Sequence, residues 1–167
     1  MTRKETTDKP TVAASVFDPS NSSFRLDNSP FYLMAHADFK YHVDMDKVLH
    51  KHGVSKPIYR IMTVLRERQP ASIGTIADAA LTKRSTVSRL IERMLEQGLV
   101  STEPNAEDNR VTEVMLTPAG QQLLRKLTPV VGRQMARAME GLGPRDITAL
   151  LRILTRIGQN LSKLPIE

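Results

Sequence analysis

The chain has 167 residues, 40% hydrophobic and 25% charged, enough for one ordinary core or one subunit of an oligomer. It contains no cysteine, which excludes disulfides, iron–sulfur ligation, thiolate zinc sites and thiol redox sensing. Lysine and arginine number 24 against 18 acids, a net charge of +6 that favours polyanions such as nucleic acid. Aromatics make up only 4%, too few for a platform that stacks single-stranded bases.

No apolar run reaches the roughly 20 residues of a spanning helix, and the N-terminal stretch lacks a signal peptide's apolar segment. A cytoplasmic protein without membrane contact is expected. Residues 1–25 are rich in Thr, Ser, Asp, Asn and Pro and read as a mobile arm. Ser29-Pro30 then marks a helix start, because proline at the first helical position gives up an N–H that has no partner there. Met34, Ala37, Tyr41, Met45 and Val48 recur at helical spacing, and Gly53 ends that helix as a left-handed residue.

A second helix follows Ser55, with Ile58, Ile61, Met62 and Leu65 inward, and stops before Pro70. A third runs from Ser72 to about Ala80, and a fourth from Lys83 to Gln97, its inner face Val87, Leu90, Ile91, Met94 and Leu95. The period then changes. Leu99–Glu103 and Thr112–Leu116 are β-prone, and the turn-rich Pro104–Arg110 between them makes a two-stranded hairpin. Thr117-Pro118 restarts a helix to about Glu140, bent at Pro129, with apolar positions Leu123, Leu124, Leu127, Val130, Val131 and Met135. The last helix, Pro144 to Leu164, carries Ile147, Leu150, Leu151, Leu154, Ile157 and Leu161 on one face. A mainly α chain with one small antiparallel β-hairpin results.

Three short helices followed by a hairpin is the order of a winged helix-turn-helix. Small alanines let the third helix pack closely across the fourth, and Val87 with Ile91 seals the crossing. The opposite face of the fourth helix holds Ser85 and Arg89, flanked by Thr86, Ser88 and Arg93. Hydroxyls and guanidinium without large apolar groups suit a major groove: Arg89 can fork onto guanine, and Ser or Thr can serve bases or phosphates. Lys83 and Arg84, at the helix entry, are placed for phosphates that set the docking angle. The bland reading, a merely solvated helix face, competes for each residue singly but poorly for the joint pattern. The hairpin is acidic, with Glu103, Glu107, Asp108 and Glu113 against Arg110, a net of −3. Arg110 at its tip suits a narrow minor groove, while Asp108 either shapes the turn or holds an arginine.

These residues resemble those of the MarR-type (multiple-antibiotic-resistance regulator) transcription regulators. The resemblance lies in Asp108-Asn109-Arg110 followed by Leu116-Thr117-Pro118-Ala119-Gly120, and in the run Thr86 to Met94 followed by Gly98-Leu99-Val100. It extends from about Leu26 to Leu164. It implies a homodimer whose N- and C-terminal helices (26–54 and 118–167) interlock. Two DNA-binding lobes (55–117) would then face a pseudo-palindromic site on double-stranded DNA, with Arg110 in the minor groove and Asp108 supporting the wing. It also implies a repressor released by a small phenolic or aromatic acid, or a related thioester, bound between the dimerisation helices and the lobe. Many relatives carry a basic residue at the end of the first wing strand; here Ser101 and Thr102 stand there, leaving Arg84 or Arg89 as partners for Asp108.

All four histidines lie between His36 and His52. Asp38, His42, Asp46 and His50 form an i, i+4 ladder that supports two readings: a metal-responsive site, or a solvated helix face. The second is favoured, since a straight ladder does not converge on one ion. For an aromatic acid the set Tyr32, His36 and Phe39 with Tyr59 and Arg60 offers a cation and an apolar slot, with Arg25 as a further anion contact; ordinary interface packing is the competing reading. No metal or cofactor is expected. An enzyme is disfavoured: there is no glycine-rich phosphate loop and no Gly-x-Ser-x-Gly elbow, and histidine is confined to one segment.

Overall fold

The computed structural model of the protein describes residues 18–163; most of the expected arm, residues 1–17, lies outside them. The described chain begins with two side-chain-capped turns, in which Asp18 and Asn21 accept the N–H groups of Ser20 and Ser23, then a 3-10 turn, Leu26–Asn28. Helix α1 spans Pro30–His50, its start capped by the Ser29 hydroxyl, which accepts the Tyr32 N–H at 3.4 Å. Gly53, at φ +70°, turns the chain into α2, Lys56–Arg68. After β1, Ala71–Ser72, Ser72 caps α3, Ile73–Ala80. Helix α4 spans Arg84–Glu96, β2 Val100–Pro104 and β3 Thr112–Leu116. Two long helices follow, α5 over Pro118–Ala138 with Pro129 inside it, and α6 over Pro144–Leu161. The last of these stops a turn before the expected Leu164.

The expected two-stranded hairpin is one half of a three-stranded antiparallel sheet in the order β1-β3-β2. Val100 faces Leu116 and Thr102 faces Val114, while on the other side Ala71 pairs with the same Val114. Ala71, Val100, Val114 and Leu116 are all buried, so the third strand fastens the wing to the helices, as two strands alone could not. Gln69 prolongs this edge by accepting the Leu116 N–H through its side-chain oxygen at 2.9 Å.

One core joins the last turns of α1 (Met45, Leu49) to the four inward residues of α2, to Ile76 and Ala77 of α3, to Val87, Ile91 and Met94 of α4, and to Leu124, Leu127 and Val131 of α5. The seam between sheet and α5 is unusually close. Thr117 donates its N–H to the Leu99 carbonyl at 3.1 Å and its hydroxyl to the Gly98 carbonyl at 2.6 Å. The same hydroxyl accepts the Gly120 N–H. A Cβ on Gly120 would run into the Leu99 carbonyl, which is why the Leu-Thr-Pro-x-Gly run needs glycine here.

Several residues expected inward are not. Ala37 on α1, Leu95 on α4 and Met135 on α5 are exposed, and α6 buries no side chain at all. Leu151 is 62% exposed, and Leu150, Leu154 and Leu161 also lie open, as do Phe31, Leu33 and Phe39 of α1. The helical period placed these residues on apolar faces. Among the described residues, however, no element buries α6, and the end of α5, at Gln134, Arg137 and Ala138, comes beside Ala37 and Lys40 of α1.

Candidate nucleic-acid interface and the neighbouring cleft

Helix α4 presents two unlike faces. Val87 and Met94 are fully buried and Ile91 nearly so, while Arg84, Ser85, Thr86, Arg89 and Arg93 are exposed. Ser88 departs from the expected set: it is half-buried and donates its hydroxyl to the Arg84 carbonyl at 3.1 Å, a local bond that occupies its only proton. Lys83 occupies the N-cap without a side-chain cap bond, so the first N–H groups of α4 stay open toward an anion. Before it, Leu81 adopts the left-handed conformation, φ 51° and ψ 48°, and is 87% exposed.

A groove of about 440 Å³ separates α4 from the wing, bordered by Gly74, Arg84, Ser88 and Arg110. Gly74 makes room there, since a Cβ would sit 3.3 Å from the Arg84 guanidinium. The wing tip is built by two side chains. Asn105, which the sequence reading passed over, accepts the N–H groups of Glu107 and Asp108 at 2.9 Å each and donates to Glu113 at 2.7 Å. Asp108 accepts the Arg110 N–H at 3.0 Å, with the Arg110 Nε 3.9 Å from the same oxygen. Asp108 thus shapes the turn, and the arginine beside its carboxylate is Arg110 rather than Arg84 or Arg89. The Arg110 side chain, 95% exposed, is left pointing away from the fold.

The candidate ligand residues divide. Tyr59 and Arg60 line a cleft of about 170 Å³ between α1 and α2, together with Tyr41, His42, Met45, Lys56 and Thr63. Tyr32 and His36 instead lie against each other along α1, with ring centres 4.3 Å apart and planes tilted by 46°. Phe39 is 69% exposed. Arg25 donates to the carbonyls of Ser22 and Phe24 in its own turn. The cation pair of the cleft is therefore Lys56 with Arg60. Partial burial, then Arg60, lowers the Lys56 pKa, while Asp38 acts the other way. Burial raises the phenol pKa of both Tyr41 and Tyr59. Arg60 also reaches out of the cleft, donating to the Ala80 carbonyl at 3.0 Å.

The Asp/His ladder does not assemble into a metal site. His42 pairs with Asp38 at 2.9 Å through Nδ1, and among the described residues no three His, Asp or Glu side chains converge. No helix of the described residues is long and apolar enough to cross a membrane.

Residues 54–112 match the model of the MarR family. The HTH-type transcriptional repressor IacR of Pseudomonas putida is 34% identical over 147 residues, 88% of either chain. This chain belongs to the MarR family. A MarR-family regulator from Silicibacter pomeroyi superimposes with a TM-score of 0.76 at 27% identity, over 85% of this chain and 96% of that one. BpsR of Bordetella bronchiseptica, whose DNA binding is regulated by 6-hydroxynicotinic acid, shares the fold at a TM-score of 0.70 and 20% identity, over 77% of this chain and 97% of that one. The MarR-family chain is thus a transcription regulator with a winged helix, not an enzyme, as its residues led one to expect.

Proposed function

We propose that this protein is a cytoplasmic repressor that binds a pseudo-palindromic site on double-stranded DNA as a homodimer and leaves it when a small aromatic acid, phenol or related thioester binds. The observation that carries the reading is the split character of α4, apolar and sealed behind, polar and open in front. Residues 55–117 form the reading lobe; residues 26–54 and 118–167 join the two copies. Arg89, with Ser85 and Thr86, reads base edges, Lys83 and Arg84 hold phosphates, Arg93 adds a cation in the last turn, and Arg110 enters the minor groove. The bare apolar stripe of α6 supports the homodimer, because a face of that size in water needs a second copy to cover it.

The cleft supports the effector class. Lys56 and Arg60 supply positive charge, and Tyr41, Tyr59 and Met45 supply apolar walls. At about 170 Å³ it lies below the roughly 300–1,000 Å³ of drug-sized sites, which limits the occupant to about one small ring. Repression accords with the naming of IacR as a repressor, and effector control with the acid that regulates BpsR.

The test is selection of bound duplexes from a random pool by the purified protein, repeated with benzoate, phenol and a benzoyl thioester present. Two inverted half-sites with centres roughly 34–36 Å apart are expected, with recovery reduced by at least one compound. Enrichment of single unpaired half-sites, or of nothing, would overturn the reading.

A further inference from the structure

Arg60 belongs to two places at once. It lines the cleft, yet one guanidinium nitrogen reaches the Ala80 carbonyl at 3.0 Å. Ala80 is the last residue of α3, and the chain has only Leu81, Thr82 and Lys83 in which to turn into α4. That turn is held by bonds to α3 and by one to Arg60. The Thr82 hydroxyl also donates to Ala80, at 3.1 Å, the Thr82 N–H reaches back to Ala77, and Leu81 sits at positive φ. Among the described residues, Arg60 makes the side-chain hydrogen bond that grips this turn from outside the helix-turn-helix.

We propose that Arg60 is the positioning residue that couples the cleft to the reading helix: an anion seated beside Lys56 competes with the Ala80 carbonyl for the Arg60 guanidinium, and the released turn lets α4 leave its DNA-reading orientation. A carboxylate is the stronger acceptor for a guanidinium, since charge-assisted bonds are roughly twice as strong as those to neutral oxygens. Only a differential of this kind, with anion-bound and carbonyl-bound forms unequal in DNA affinity, shifts the equilibrium. The inference rests on the aromatic-acid reading above, and it adds a reason for the effector to be anionic: a neutral ring of equal size fills the cleft without drawing Arg60 away.

The experiment uses the full chain, the duplex enriched by selection, and benzoate, with benzamide as the neutral match. Arg60→Met keeps the apolar stem and removes the donor; Arg60→Lys keeps a charge of similar reach. Expected for Arg60→Met is a tenfold or greater loss of affinity for the selected duplex, with affinity for random duplex changed less than twofold. The loss should be largely restored in Arg60→Lys. Benzoate should weaken wild-type binding at least fivefold, benzamide less than twofold, and benzoate should act less than twofold on Arg60→Met. Wild-type duplex affinity in Arg60→Met, equal losses on both duplexes, or an undiminished benzoate effect in that variant would overturn the coupling. If benzoate does not bind the wild type by calorimetry, the effector class fails instead, and the two duplex affinities still decide whether Arg60 positions the reading helix.

Discussion

The stretch Ser55–Thr117 and the helix Pro144–Leu161 both carry well-ordered apolar faces, but the first is sealed by its own neighbours and the second is bare. Their charges differ as well. Residues 55–117 hold nine Lys and Arg against eight Asp and Glu, a net of +1, whereas residues 118–167 hold eight against three, a net of +5. The proposed reading lobe is thus nearly neutral, and most of the chain's basicity lies in residues 118–167. A neutral reading lobe with an acidic wing gains little from bulk attraction. On the proposed reading, its affinity rests on a few placed cations and on two lobes that act together.

The sealed side is broken most severely at its tightest seam. Gly120→Ala drives a methyl at the Leu99 carbonyl and should cost about 3 kcal/mol or more, read as a lower urea midpoint; an unchanged midpoint would mean that the seam yields. The bare side is broken by Leu151→Asp combined with Leu154→Asp. Monomers by sedimentation and an operator affinity lower by on the order of 100-fold are expected, with the far-ultraviolet spectrum of the lobe retained. A dimer of unaltered affinity would place the joining surface elsewhere.

Within the lobe, Arg89→Ala should reduce preference for the selected duplex over random DNA by about 1–3 kcal/mol, whereas Lys83→Ala should weaken both and lower the salt slope by roughly 1. The same ratio of losses for the two variants would remove the distinction between reading and holding. The smallest effect expected is a gain. Leu81→Gly relieves a left-handed leucine, for which the turn has no compensating contact, and should raise stability by about 1 kcal/mol against glycine's own entropy cost. A fall in melting temperature would show that Leu81 is held by something other than its backbone.

How far the sequence discloses this arrangement follows from distance along the chain. The serine and threonine caps before Pro30 and Pro118, the glycine at 53, the inner face of α2 and that of α4 apart from Leu95 are local patterns, and each stands where expected. Strand β1 escaped because two residues show no alternation and its partners lie some forty positions on, at Glu113 and Val114. Asn105 escaped although it sits in the turn-rich loop, because its three bonds become visible only once the loop has closed on Glu113. The cleft was half legible. Tyr59 and Arg60 belong to it, but His36 lies five residues from Tyr41, about 140° around the helix. A helix that offers Tyr41 to the cleft turns His36 away. The choice depends on how α1 is rotated against α2, which no pattern within α1 fixes.

The knot of bonds at Thr117 has one more effect, on spacing. Helix α5 leaves the lobe there and runs for 21 residues, a rod of about 32 Å at 1.5 Å per residue. With its base clamped to Gly98 and Leu99, a tilt of only about 5° at this fulcrum would sweep the far end through roughly 3 Å by the same rod geometry. The bonds at Thr117, with Leu124, Leu127 and Val131 packed in the core beyond them, therefore set how a long lever is aimed.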